Sequence, residues 1–185
     1  MGDVLLSKSK AKTVFAPTAY YKDISNIDWT RLVELGYRLI LLDADNTLIP
    51  HGESAKTDFS LQALKKIKAS KLEVSILSNA NRARAEALGR SLGVDAEGMA
   101  QKPGPKGIWR ACEKFGVPVE QTILVGDQYF TDMLAGKRAG CKTILVDPIV
   151  TDEPWYIRVK RWQERRMYRR RGWITHYDDL PDVND

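Results

Sequence analysis

Two carboxylates, Asp43 and Asp45, stand two residues apart at the end of the run Arg38-Leu39-Ile40-Leu41-Leu42. An apolar run of that length is a strand buried on both faces in a parallel sheet. Alternate strand residues face the same way, so the two acids share a face and Ala44 points elsewhere. Carboxylates held so close repel each other, and they coexist when a cation neutralises them or when one keeps a proton. An enzyme can use either solution. Ser78 and Asn79 end a second apolar stretch, Lys102 precedes Pro103-Gly104-Pro105, and Asp127 ends a further strand-like run with Asp132 close behind.

These residues need elements that bring them to one place. Leu39–Leu42, Leu72–Leu77, a short segment near Val94, Thr122–Gly126 and Lys142–Val146 read as strands. Between them, helical spacing covers Thr57–Ala69, about Asn81–Ser91 stopped by Gly93, Lys106–Phe115 closed by Gly116, and Asp132–Ala139 stopped by Gly140. The mixed stretch from Ala16 to Leu35 reads as short helices that lie on the sheet before Gly36 turns the chain. Alternation of strand and helix predicts an α/β fold: a doubly wound parallel sheet with right-handed crossovers in one domain. Its core spans about 36–150, after an N-terminal lead-in of 1–35 and before a basic segment at 155–171. Every polar residue singled out above falls at the carboxyl end of a strand or the start of a helix, where such sheets keep their sites.

At 185 residues the chain can bury a core without metal or disulfide staples. Cys112 and Cys141 have no C-x-x-C spacing and read as reduced, packed thiols. The first 17 residues carry three lysines but no apolar run of secretory length, and no run of eighteen apolar residues occurs anywhere. The expectation is a cytoplasmic protein. Its formal charge of +5 is unevenly spread. Arg158, Lys160, Arg161, Arg165, Arg166, Arg169, Arg170 and Arg171 face one acid, Glu164, so that segment carries about +7 and the remainder about −2. On a helical wheel Trp155, Val159 and Trp162 form a stripe flanked by Tyr156 and Met167. A basic helix with tryptophans resembles one lying on an anionic membrane surface. An ordinary terminal helix on the sheet, or a nucleic-acid contact, would use the same residues.

The motifs Leu41-Leu42-Asp43-Ala44-Asp45-Asn46-Thr47-Leu48, Ser78-Asn79, Lys102 and Gly126-Asp127-Gln128 with Thr131-Asp132 resemble those of the haloacid dehalogenase superfamily phosphatases, in the same order over Leu39–Val146. With Pro17 and Tyr20, the wording is similar to the YqeG family of the IIIA class, related to phosphatidylglycerophosphate phosphatases. Alone, Ser78-Asn79 would be a helix cap, Lys102 a surface lysine and Asp132 an N-cap. Their joint order lifts them above those readings.

The resemblance implies a Rossmann-like fold and a Mg2+ cofactor. It makes Asp43 the nucleophile and Asp45 the acid and base, with a raised pKa beside bound phosphate. Mg2+ would be held by Asp43, the main-chain carbonyl of Asp45, and Asp127. Ser78, Asn79 and Lys102 would bind the phosphate, with Thr47 and Asp132 in support. Thr47–Ser78 and Ser78–Lys102 leave no room for the cap domain that other members insert there. An uncapped site suits a phosphate on something large. The leading expectation is phosphatidylglycerophosphate at the inner face of the cell membrane, with the basic segment on anionic lipid. The rivals are a phosphatase of nucleic-acid ends or phosphoproteins, and a non-catalytic binding module on the same fold. His51, Glu53 and Asp147 are assigned no chemical role.

Overall fold

The computed structural model describes residues 16–53, 55–150, 159, 162–164 and 166. Arg158, Lys160, Arg161, Arg165, Arg169, Arg170 and Arg171 of the basic segment lie outside the described residues, as does most of the helix expected there.

Six parallel strands form one sheet in the order β1-β6-β5-β2-β3-β4. They are β1 (Ala19–Tyr21), β2 (Leu39–Leu42), β3 (Glu73–Leu77), β4 (Asp95–Glu97), β5 (Thr122–Gly126) and β6 (Lys142–Val146). The helices are α1 (Trp29–Glu34), α2 (Asp58–Ala69), α3 (Arg82–Leu92), α4 (Lys106–Phe115) and α5 (Leu134–Ala139). Leu39 of β2 is in register with Glu73 on one side and Thr122 on the other, so β2 is central. All four of its residues are buried, as a strand covered on both faces requires. Ile40 and Leu42 join Ile76, Val125, Leu64, Ile67, Leu88 and Trp29 on one face. Leu39 and Leu41 join Leu124, Ile108, Ala111 and Ala135 on the other. Helices α1, α2 and α3 therefore cover one face, and α4 and α5 the other.

Local sequence explains the helix ends. Thr57 and Ser60 cap α2 reciprocally, and the Asn81 side chain accepts from the Arg84 N–H to start α3. Gly93, Gly116 and Gly140 stop α3, α4 and α5 in the left-handed region.

Two expectations need correction. The lead-in is not only helical: Ala19–Tyr21 pairs with Ile144–Val146 as a sixth, edge strand. Tyr20 then donates to Asp147 Oδ1 at 2.7 Å, which gives Asp147 its structural role. The helix expected from Asp132 starts earlier, as a π turn over Tyr129–Met133 that runs into α5. The intervals where a cap would be inserted hold a loop and α2 before β3, then α3 and β4 before α4.

Candidate active site

Chain direction out of the sheet reverses between β2 and β5. The strands after β2 run to one edge, those after β5 to the other, and a crevice opens at the carboxyl ends of this pair. Asp43 follows β2 and Asp127 follows β5. The Asp43 N–H donates to the Val125 carbonyl at 2.9 Å, extending the ladder by one bond and fixing where the nucleophile candidate projects. The chain then curls: Leu48 and Ile49 N–H donate to the Ala44 carbonyl, and Asn46 takes a left-handed φ of 60°. The curl, not strand alternation, sets the direction of Asp45.

Lys102 is the electrostatic centre. Its Nζ lies 2.5 Å from Asp43 Oδ1 and 2.7 Å from Asp132 Oδ1, with 2% of its side chain exposed. Burial works to neutralise the ammonium, but Asp132 and Asp43 outweigh it and raise its pKa above the ordinary lysine value. Asp132 Oδ2 accepts from the Gln128 N–H at 3.1 Å, so both oxygens are engaged and Asp132 holds Lys102 in place. Asp132, expected in a supporting position, pairs with Lys102. Gly126 makes it possible, because a Cβ there would overlap the Asp132 carboxyl group.

The Ser78-Asn79 turn is pinned to the same centre. Asn79 donates Nδ2–H to the Lys102 carbonyl and accepts the Lys102 N–H at Oδ1, both at 2.8 Å. Its carboxamide thus fixes the Lys102 backbone. Ser78 is buried, and its Oγ accepts from the Ala80 N–H at 3.1 Å. Both residues precede the capping residue Asn81, so they line the approach to α3, not its first turn. Thr47 is buried in the curl.

Asp43, Asp127 and Asp132 are buried, and their carboxylate oxygens lie within 4.8 Å of one another. Burial, together with Asp132 and Asp127, raises the Asp43 pKa well above the usual carboxylate value, Lys102 opposing. Three carboxylates against one ammonium leave a nominal charge of −2 in a buried volume, which a divalent cation would cancel. Hard oxygen donors are the set that Mg2+ takes. The donor set therefore fits the metal, with Asp43 and Asp127 contributing side chains; the Asp45 carboxylate stands outside the cluster, leaving its main-chain carbonyl as the group assigned to the ion.

Asp45 is held from the other side. Arg84 Nη1 donates to Oδ2 at 2.9 Å and Nη2 to Oδ1 at 2.7 Å, and the Gly52 N–H donates to Oδ1 at 2.8 Å. His51 Nδ1 stands 3.7 Å from the same oxygen. Burial favours the neutral acid, but the bonds from Arg84 and Gly52 prevail, and the Asp45 pKa lies below the usual carboxylate value. That is opposite to the raised value expected with phosphate bound. Sequence reading passed over Arg84, although a signal was present. The first turn of α3 carries Arg82 and Arg84 and no acid, against the preference of a helix dipole.

A buried carboxylate against a buried lysine, the cluster of acids and the parallel sheet agree with a haloacid dehalogenase-like hydrolase, and the chain belongs to that family; its family model matches residues 56–140. Within the family the chain is a phosphatase of the YqeG-like group. It is 32% identical over 166 residues to the Bacillus subtilis (strain 168) protein named "Probable phosphatase YqeG", covering 88% of this chain and 96% of that one. It is 28% identical over 172 residues to "Phosphatidylglycerophosphate phosphatase 1, chloroplastic/mitochondrial" of Arabidopsis thaliana, over 87% of this chain and 49% of that longer protein. The fold is similar to that of an uncharacterized Listeria monocytogenes serotype 4b protein at a TM-score of 0.52 and 15% identity, covering 63% of this chain and 83% of that one.

Proposed function

We propose that this phosphatase is a Mg2+-dependent phosphomonoesterase acting through an aspartyl phosphate on Asp43, and that its substrate is phosphatidylglycerophosphate at the inner face of the cell membrane. The buried contact of Lys102 with Asp43, beside Asp127 at the β2/β5 crevice, carries the chemical part. Mg2+, held by Asp43, Asp127 and the Asp45 carbonyl, would supply positive charge against the phosphate dianion.

An Asp43 oxygen attacks phosphorus as the bond from phosphorus to the leaving alcohol's oxygen breaks, and Asp45 gives the leaving oxygen a proton. Water then attacks the phosphorus of the aspartyl phosphate as Asp45 takes its proton, the bond from phosphorus to the Asp43 oxygen breaks, and inorganic phosphate leaves with Asp43 restored as a carboxylate. Lys102 faces the transferring oxygens and offsets their charge, while Ser78 and the Asn79 N–H orient them. Asp45 enters from its ion pair with Arg84, and the arriving dianion raises its affinity for the proton it must carry.

The lipid part draws on the name of the Arabidopsis relative, on the basic segment and on the rim of the site. Met99, whose N–H donates to the Ala80 carbonyl, exposes 57% of its surface beside the Ser78-Asn79 turn. Trp162 is 61% exposed with the Arg166 guanidinium 5.6 Å from its ring, a cation and an aromatic presented outward together. Among the described residues no helix is long and apolar enough to cross a membrane, so contact would be peripheral.

The test is phosphate release from phosphatidylglycerophosphate in mixed micelles, with Mg2+ and with chelator, for the native chain and Asp43→Asn. Release should need the metal and fall at least ~10³-fold in the variant. Undiminished release by Asp43→Asn would refute the mechanism. Release from nucleotides or sugar phosphates but not from the lipid would refute the substrate.

A further inference from the structure

The steps above give the Arg84 guanidinium no substrate to bind, yet its position is specific. It reaches from the first turn of α3 to both oxygens of Asp45 and donates from Nη2 to the Glu53 carbonyl at 2.6 Å. Lys102 and Arg84 flank different parts of the reaction. Lys102 is sealed against the nucleophile, with 2% of its side chain exposed. Arg84 is 24% exposed on the open side, next to Asp45. In the proposed reaction, on which this inference rests, Asp45 works at the oxygen of the leaving group. A side chain lying along Asp45 on the solvent side therefore meets the leaving group, not the transferring phosphoryl. The guanidinium is a planar fork of donors that fits a carboxylate or a phosphate bidentately, and it already makes that arrangement with Asp45.

We propose that Arg84 is a specificity-determining residue that binds a second anion carried by the leaving group, a phosphodiester or a carboxylate, in exchange for its bidentate contact with Asp45. A leaving group of this kind gains a fixed partner and draws the guanidinium off Asp45 in the same movement. A neutral leaving group does neither, and the clamp stays closed.

The experiment compares three phosphomonoesters on the full chain with Mg2+. Glycerol 3-phosphate has a neutral leaving group, phosphoglycolate a carboxylate, and glycerophosphoglycerol phosphate a phosphodiester. The native chain should prefer one of the anionic pair by about 10-fold or more in kcat/KM, the scale of a charge-assisted hydrogen bond, and which one identifies the anion. Arg84→Gln should bring that ratio near unity, chiefly through KM, and Arg84→Lys should restore part of it. Absolute rates shift for every ester in these variants because Asp45 loses its partner, so the ratio is the readout. An unchanged ratio in Arg84→Gln overturns the proposal. Calorimetric binding of glycerophosphoglycerol and of glycolate, neither of which has an ester to hydrolyse, separates the two claims. Weaker binding by Arg84→Gln with no turnover of any ester would sink the reaction and keep the anion site. Normal turnover with equal binding and equal ratios would do the reverse.

Discussion

Lys102 lies within hydrogen-bonding distance of Asp43 and Asp132 and is almost wholly buried, so removing it leaves two buried carboxylates facing Asp127 with no cation. Breaking a buried ion pair from one side costs about 3–5 kcal/mol. Lys102→Met should lose stability on that scale in urea unfolding with chelator, and less with Mg2+ present, because the metal supplies part of the missing charge. Equal losses in both conditions would disconnect the acids from a metal. The cysteines make a second prediction at this scale. Burial pushes the Cys141 thiol up to about 12 and raises the Cys112 thiol as well, so neither is a thiolate near neutral pH. Both should resist a thiol reagent in the folded chain at pH 8 and react together on unfolding. Fast labelling of either thiol in the native state would contradict their packing.

At the scale of elements, two glycines mark close approaches, and the first of them lies in the site. Gly126 ends β5 where a Cβ would overlap Asp132, and Gly136 in α5 lies where one would overlap the Thr143 methyl of β6. Gly126→Ala should push Asp132 away, loosen Lys102 and cost roughly 1–3 kcal/mol from overpacking. Activity should fall with it, in a variant whose charges are all intact; full activity with native stability would show that Asp132 can shift without consequence. The Asn79 carboxamide joins the turn after β3 to the backbone before α4, which is how two elements 23 residues apart share one functional group.

For the molecule as a whole, charge is divided between a near-neutral core and a basic terminal segment. Glu164, the single acid of that segment, is buried and accepts the Phe130 N–H at 2.9 Å. That bond ties Glu164 to the turn that also carries Asp132, while Val159, Trp162 and Arg166 are exposed. The chain should co-sediment with vesicles containing anionic lipid and not with neutral ones. Binding should fade near 1 M salt, where the Debye length is about 3 Å. Binding insensitive to salt would mean insertion and not electrostatics. Mg2+ at a hundredfold excess over its Kd should stabilise the fold by ~2.7 kcal/mol, read as a rise in Tm, and Asp127→Asn should abolish most of that rise.

Much of this architecture was legible in the sequence because its signals are local. The apolar run into Asp43, the glycines that stop α3, α4 and α5, and the order of Ser78, Lys102 and Asp127 sit within single elements or at their ends. They determined a parallel α/β sheet, the rim on which the site lies and the class of chemistry. What stayed hidden were pairings between distant segments. The edge strand β1 is three residues long and acquires its identity only against β6, as the Ala19 and Ile144 register records. That Arg84, 39 residues away, holds both oxygens of Asp45 appears only once the chain is folded. That the Asn79 carboxamide is spent on the Lys102 backbone, 23 residues away, appears only in the folded chain. A side chain's type limits what it can bind, but the partner it takes depends on which segments packing brings within about 3 Å, the reach of a hydrogen bond. Tertiary structure alone decides that.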